Sequence, residues 1–102
     1  MTKMEKKEIN QFTMMLKKNR FEIINQQIDF EDQQIKVTLT TKPTETIIKH
    51  VDSQKRIIAE RKNINKIILC NMTTVNIFND KETSESMNES FPLQQLEQII
   101  RI

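Results

Sequence analysis

Ile9, Phe12 and Leu16, with Met15 beside them, recur at i, i+3 and i+7 through an otherwise polar stretch, the spacing of one apolar face on a helix. Thr2 followed by Glu5 forms a capping box, and Glu5 and Glu8 lie early while Lys17, Lys18 and Arg20 lie late, as the helix macrodipole favours. The pattern predicts a helix over about 3–18, closing at Asn19, which can take the left-handed conformation that Gly ordinarily supplies.

From Phe21 the period changes. FEIINQQIDF carries apolar residues on both alternating faces and QIKVTLTT alternates at Ile35, Val37 and Leu39, so two strands joined around Glu31-Asp32 are predicted. Phe21, Ile24 and Ile28 would also suit a helical continuation.

Residues 44–62 admit two readings. On a helical wheel Ile47, Ile48, Val51, Ile58 and Ala59 share an arc of about 120°, and Pro43 suits a first helical turn. Against a helix, Gln54, Lys55 and Lys62 fall in the same arc, Ile57 falls outside it, and Asp52-Ser53 prefers turns. As a hairpin, ETIIKHV and KRIIAER flank a D-S-Q-K turn with β-branched residues on both sides. The hairpin is preferred; the helix would give an α-β-β-α-β-β-α order.

NKIILCN reads as a buried strand and TTVNIFN, through Val75, Ile77 and Phe78, as a final edge-like strand. Residues 79–90, NDKETSESMNES, form a polar acidic loop, after which Ser90 can cap and Pro92 can open a short amphipathic helix carrying Leu93, Leu96, Ile99 and Ile100. The expected architecture over 1–102 is one small α+β domain: an N-terminal helix, an antiparallel meander of about five strands and a short C-terminal helix, with the helices on one sheet face.

Composition narrows the functional classes. The 102 residues contain no Gly, which removes every mechanism built on a Gly-rich phosphate loop or a G-x-S-x-G nucleophile turn. Scarce Gly, Ala, Arg and Pro beside sixteen Ile, twelve Lys and nine Asn suggest an AT-rich genome, such as a low-GC bacterium, its phage or its plasmid. The net charge of +2 is small but uneven: fourteen Lys and Arg against nine Asp and Glu in 1–66 give +5, and two against five in 67–102 give −3. The single Cys70, in the apolar run IILC, is expected as a reduced buried thiol. With no apolar leader segment and no long apolar run, a cytoplasmic protein without membrane association is expected.

Catalytic groups are sparse. His50 is the only histidine and would have to serve any Ser-His-Asp or Cys-His arrangement, with nothing to fix a third member. One Cys and one His make no structural zinc site, and Asp80, Glu82, Glu85 and Glu89 lack the spacing of a calcium loop. No enzyme activity, metal or cofactor is expected. Binding remains, and the candidate residues are Lys55, Arg56, Arg61, Lys62 and Lys66, which could cluster on the hairpin. The leading expectation is a small protein that binds another protein, of the kind phages and mobile elements use to inhibit or redirect a host factor, anti-CRISPR proteins among them. The alternative is a nucleic-acid-binding regulator using the basic hairpin. Ile-rich strands and an unprotected last strand also make a homodimer an expectation.

Overall fold

The computed structural model describes residues 2–79 and 89–101, excepting the side chains of His50 and Arg101. It is an α+β fold: helix α1 (Lys3–Lys18), strands β1 (Ile23–Glu31), β2 (Gln34–Val51), β3 (Ile57–Cys70), β4 (Thr74–Phe78) and β5 (Glu89–Pro92), a 3-10 turn at Leu93–Gln95, helix α2 (Leu96–Ile99) and strand β6 (Ile100–Arg101). Five strands form an antiparallel meander in the order β1-β2-β3-β4-β5, and β6 pairs with β2.

Both ends of α1 are fixed by local chemistry. Thr2 accepts from the Glu5 backbone N–H at 3.1 Å and its own N–H donates to the Glu5 carboxylate at 2.8 Å, completing the capping box. Those bonds, the backbone one above all, hold the Glu5 carboxyl below its ordinary range, so its help to the helix start is present at neutral pH and fades as pH falls through the lowered value. At the other end the left-handed position falls on Arg20, with φ 69°, and not on Asn19, whose φ is −92°. The Phe21 N–H reaches back to the Leu16 carbonyl and the Arg20 N–H to that of Lys17, both at 3.0 Å, a Schellman closure in which buried Phe21 and Leu16 supply the accompanying apolar contact. Asn19 serves instead through its side chain, which donates to the Met15 carbonyl at 2.8 Å.

The absence of glycine is met in the same way at the hairpins whose turns are described. Asp32 and Gln33, both at positive φ, form a two-residue turn between β1 and β2, the geometry whose twist matches that of the strands. Asn71 and Met72, also at positive φ, join β3 to β4. Asn71 further ties that turn to the start of β2: its N–H donates to the Ile35 carbonyl at 2.7 Å and its side-chain oxygen accepts the Ile35 N–H at 3.0 Å.

Residues 44–62 adopt the hairpin and not the helix. Val51 faces Ile57, and the Lys55 N–H donates to the Asp52 carbonyl at 3.0 Å, closing the D-S-Q-K turn with Lys55 at φ 62°. The Asp52 carboxylate holds this turn, accepting from the N–H groups of Gln54 and Arg56 and from the Arg56 guanidinium.

The strands differ from the expected set in length. The segments expected as separate strands on either side of Pro43 are one strand, β2, and those on either side of Asn63 are one strand, β3. What lies between them is a bulge. Thr40 faces Lys66 and Thr44 faces Ile64, so Thr41, Lys42 and Pro43 together span the single residue Asn65. The buried positions in β2 run Ile35, Val37, Leu39, Thr41 and then Thr46, Ile48; in β3 they run Lys62, Ile64 and then Ile67, Leu69, with Ile68 also buried but outside the main core cluster. The alternation therefore changes phase at the bulge in both strands, and both halves of the ladder turn into one core with Ile9, Phe12 and Leu16 of α1.

The C-terminal part also departs from expectation. Strand β4 is not an edge, because Glu89–Pro92 pairs with it as β5; Ser90 is thus a strand residue and not a helix cap. Residues 80–88 of the expected acidic loop lie outside the described residues. Helix α2 is a single turn, since Ile100 leaves it to pair with Ile48, where its side chain is buried. No helix among the described residues is long and apolar enough to cross a membrane.

Thr41 is buried in the bulge, and its hydroxyl has no hydrogen-bond partner among the described residues. Thr41→Val, which keeps the shape and removes the orphan group, should raise stability by about 1 kcal/mol in urea unfolding. Asn71→Ala, which strips the Ile35 N–H of its acceptor, should lower it by about 1 to 2 kcal/mol in the same measurement.

Candidate functional site

The β2–β3 ladder carries all five basic residues expected to bind, but separates them. Lys55 and Arg56 occupy the turn at its tip, both exposed, with Arg56 paired to Asp52 at 3.0 Å. Arg61 is exposed on β3 and pairs with Glu45 across the ladder at 3.3 Å. Lys66 lies nine residues beyond Ile57, roughly 30 Å along the strand at ~3.3 Å per residue, with its ammonium 5.1 Å from the centroid of the Phe78 ring. Lys62 is only 5% exposed. Its ammonium donates to the Glu89 carboxylate at 2.6 Å and has Glu60 at 3.7 Å, so it joins β3 to β5 from inside the protein. The structure thus brings Lys55, Arg56 and Arg61 onto one exposed arm, and leaves Lys62 and Lys66 apart from it.

An apolar patch lies on that same arm. Ile57 is 77% exposed and its cross-strand partner Val51 is 63% exposed, although both are large β-branched residues. Ile47 and Lys49 share their face of β2, opposite Arg61 and Ala59. The pair borders a groove of about 600 Å³ between the hairpin and the C-terminal segment, walled by Lys49, Val51, Ile57, Phe91, Pro92 and Ile99. The patch is apolar at its centre and cationic around it, through Lys49, Lys55, Arg56 and Arg61. A second groove, of about 510 Å³, runs between α1 and the C-terminal segment and is lined by Phe12, Met15, Met72, Pro92 and Leu93.

Reading the sequence for charge singled out the cations and passed over Val51 and Ile57. The signal that finds them is the hairpin itself. Once Asp52–Lys55 is a turn, period-two alternation puts Ile47, Lys49 and Val51 on the face opposite Ile48, and the buried Ile48 sends the others outward.

Among the described residues, groups capable of chemistry are not gathered. Cys70 is a half-buried thiol rather than a fully buried one, at the end of β3, with the Asn76 amide donating to its sulfur at 3.6 Å. His50 lies in β2 opposite Ile58, and its side chain is outside the described set. Among the described residues no group of three or more His, Cys, Asp or Glu is placed to hold a metal ion. Compared with protein-family models, with curated proteins and with solved structures, the chain matches none.

The buried ion pair makes a sharp stability test. Lys62 is 5% exposed and its partner Glu89 28%, so removing Glu89 leaves a buried ammonium with the weaker counterion Glu60, whereas replacing Lys62 by an apolar isostere leaves a carboxylate that water still reaches. Glu89→Ala should cost about 2 to 3 kcal/mol in urea unfolding and Lys62→Met less than about 1 kcal/mol, which would identify Lys62 as a structural cation.

Proposed function

We propose that this chain acts by binding another protein, without chemistry of its own, through the tip of the β2–β3 hairpin and the groove behind it. The observation that carries this reading is the exposed Val51–Ile57 pair beside a preformed apolar groove. Two large aliphatic side chains left in water at a hairpin tip cost hydrophobic free energy that a covering surface recovers, and such a patch inside a charged rim is the usual anatomy of an interface. The surrounding cations favour a partner that presents acidic side chains around an apolar centre, and they would speed its approach. A residue usage typical of AT-rich genomes suits a phage- or mobile-element-encoded modulator of a host factor acting in the cytoplasm.

The nucleic-acid reading draws on the same arm, where Lys55, Arg56 and Arg61 are exposed. It has fewer cations to work with than the sequence suggested, because Lys62 is engaged internally with Glu89.

Two sets of variants separate these readings. Val51→Asp with Ile57→Asp should weaken a captured protein partner by a hundredfold or so, about 2 to 3 kcal/mol, while circular dichroism stays unchanged. Reversal of Lys55, Arg56 and Arg61 to Glu should instead alter the association rate and its salt dependence. If the Asp variants retain the partner at full affinity, the hairpin tip is not the interface. A heparin or DNA affinity that falls by about 0.9 decades per decade of salt for each phosphate contact, and vanishes on charge reversal, would favour nucleic acid.

A further inference from the structure

We infer that β1 is the pairing edge of a symmetric dimer of this chain. This concerns a surface distinct from the hairpin tip and stands or falls independently of it. Among the described residues β1 pairs only with β2, so every second residue along it turns its N–H and C=O to the open side. Edges are ordinarily blunted by shortness, Pro, Lys or a covering element. Strand β5 is blunted, being four residues long and ending in Pro92, and the half of β3 that has no second strand neighbour among the described residues carries Glu60, Arg61 and Lys62. Strand β1 is nine residues, IINQQIDFE, about 30 Å of edge with neither Pro, Lys nor Arg and one irregularity, at Ile24.

Its side chains are left uncovered in a way that a second copy would cover. Ile28 and Phe30 face Val37 and Ile35 across the ladder, and so stand on the side of the sheet that carries the core. Yet they are 38% and 61% exposed, and Ile24 is 60% exposed, because α1 does not extend over the edge. A shallow groove lined by Lys6, Ile9, Asn10, Gln26 and Ile28 marks where the cover of α1 stops.

Charge sets the direction. The far end of β1 is acidic, with Asp29, Glu31 and Asp32 beside the one cation Lys36 among the residues lining the groove there. The near end carries Arg20 and Lys42, the latter bridged to Glu22 at 3.3 Å. Antiparallel pairing of two copies sets each acidic end against a net basic one; parallel pairing would set acids against acids. A two-fold axis at Gln27 then brings Phe30 to Ile24 of the second copy at both ends, makes the two Ile28 side chains diagonal neighbours on one face, and places Asp29 opposite Asn25. Such an axis uses up the β1 edge of both copies, so assembly through this edge closes at two.

Sedimentation over a wide concentration range, with all variants in a Cys70→Ser background, tests this. The expected result is a mass of twice the chain, a dissociation constant raised about tenfold or more by Ile28→Lys with Phe30→Lys, and no change on Val51→Asp with Ile57→Asp. Gln27→Cys should cross-link spontaneously under mild oxidation, because directly opposed residues of an antiparallel pair lie within disulfide reach, while Asn25→Cys and Asp29→Cys should not. A monomer throughout, a dimer indifferent to the lysine pair, or cross-linking at 25 or 29 in place of 27 would overturn the inference.

Discussion

The structure depends on the slip in register between β2 and β3. An unbroken ladder of this length would carry one alternation from end to end, and residues buried at its start would fix which face was buried at its tip. By spanning Asn65 with Thr41, Lys42 and Pro43, the bulge lets Ile35, Val37 and Leu39 pack under α1 while Thr46, Ile48 and Ile64 enter the same core from the other half of the strands. The same change of phase carries Lys62 inward, where Glu89 meets it, and carries Ile47, Lys49 and Val51 outward. Core, internal ion pair and exposed tip are three results of one local irregularity.

Local signals along the chain were readable wherever a side chain acts on its own neighbourhood. The capping box at Thr2 and Glu5, the helical face of Ile9, Phe12 and Leu16, and the turn at Asp52–Lys55 each depend on residues within a few positions of one another. Features set by long-range pairing were not readable. Pro43 suits a first helical turn in sequence, yet it sits inside a strand because the bulge places it where no ladder bond to β3 is needed. Ile99 and Ile100 continue a helical pattern, yet the chain turns at Ile100 because Ile48 offers an edge to pair with. Strand β5 has only four residues and owes its conformation to β4, not to its own composition.

The candidate site follows the same division. A count of cations along 55–66 points to the β2–β3 hairpin but cannot say which cations are outside, since that depends on Glu89, twenty-seven positions from Lys62. Val51 and Ile57 are the reverse case: apolar residues that composition assigns to a core and that alternation, once the turn is known, assigns to the surface. The two faces that remain uncovered, the hairpin tip and the β1 edge, are both places where one local rule, burial of aliphatic side chains, yields to the geometry of the whole sheet.

Among the described residues six hold a positive φ, none of them glycine: Arg20, Asp32, Gln33, Lys55, Asn71 and Met72. Each costs roughly 1 kcal/mol of native-state backbone strain relative to glycine. The other side of that balance lies in the denatured ensemble, because a chain without any glycine has fewer backbone states to surrender on ordering. Stability here therefore rests partly on a stiff unfolded polymer, and substituting glycine along the loops would relax the folded molecule and loosen the disordered one together, with the sign of the net change differing from turn to turn.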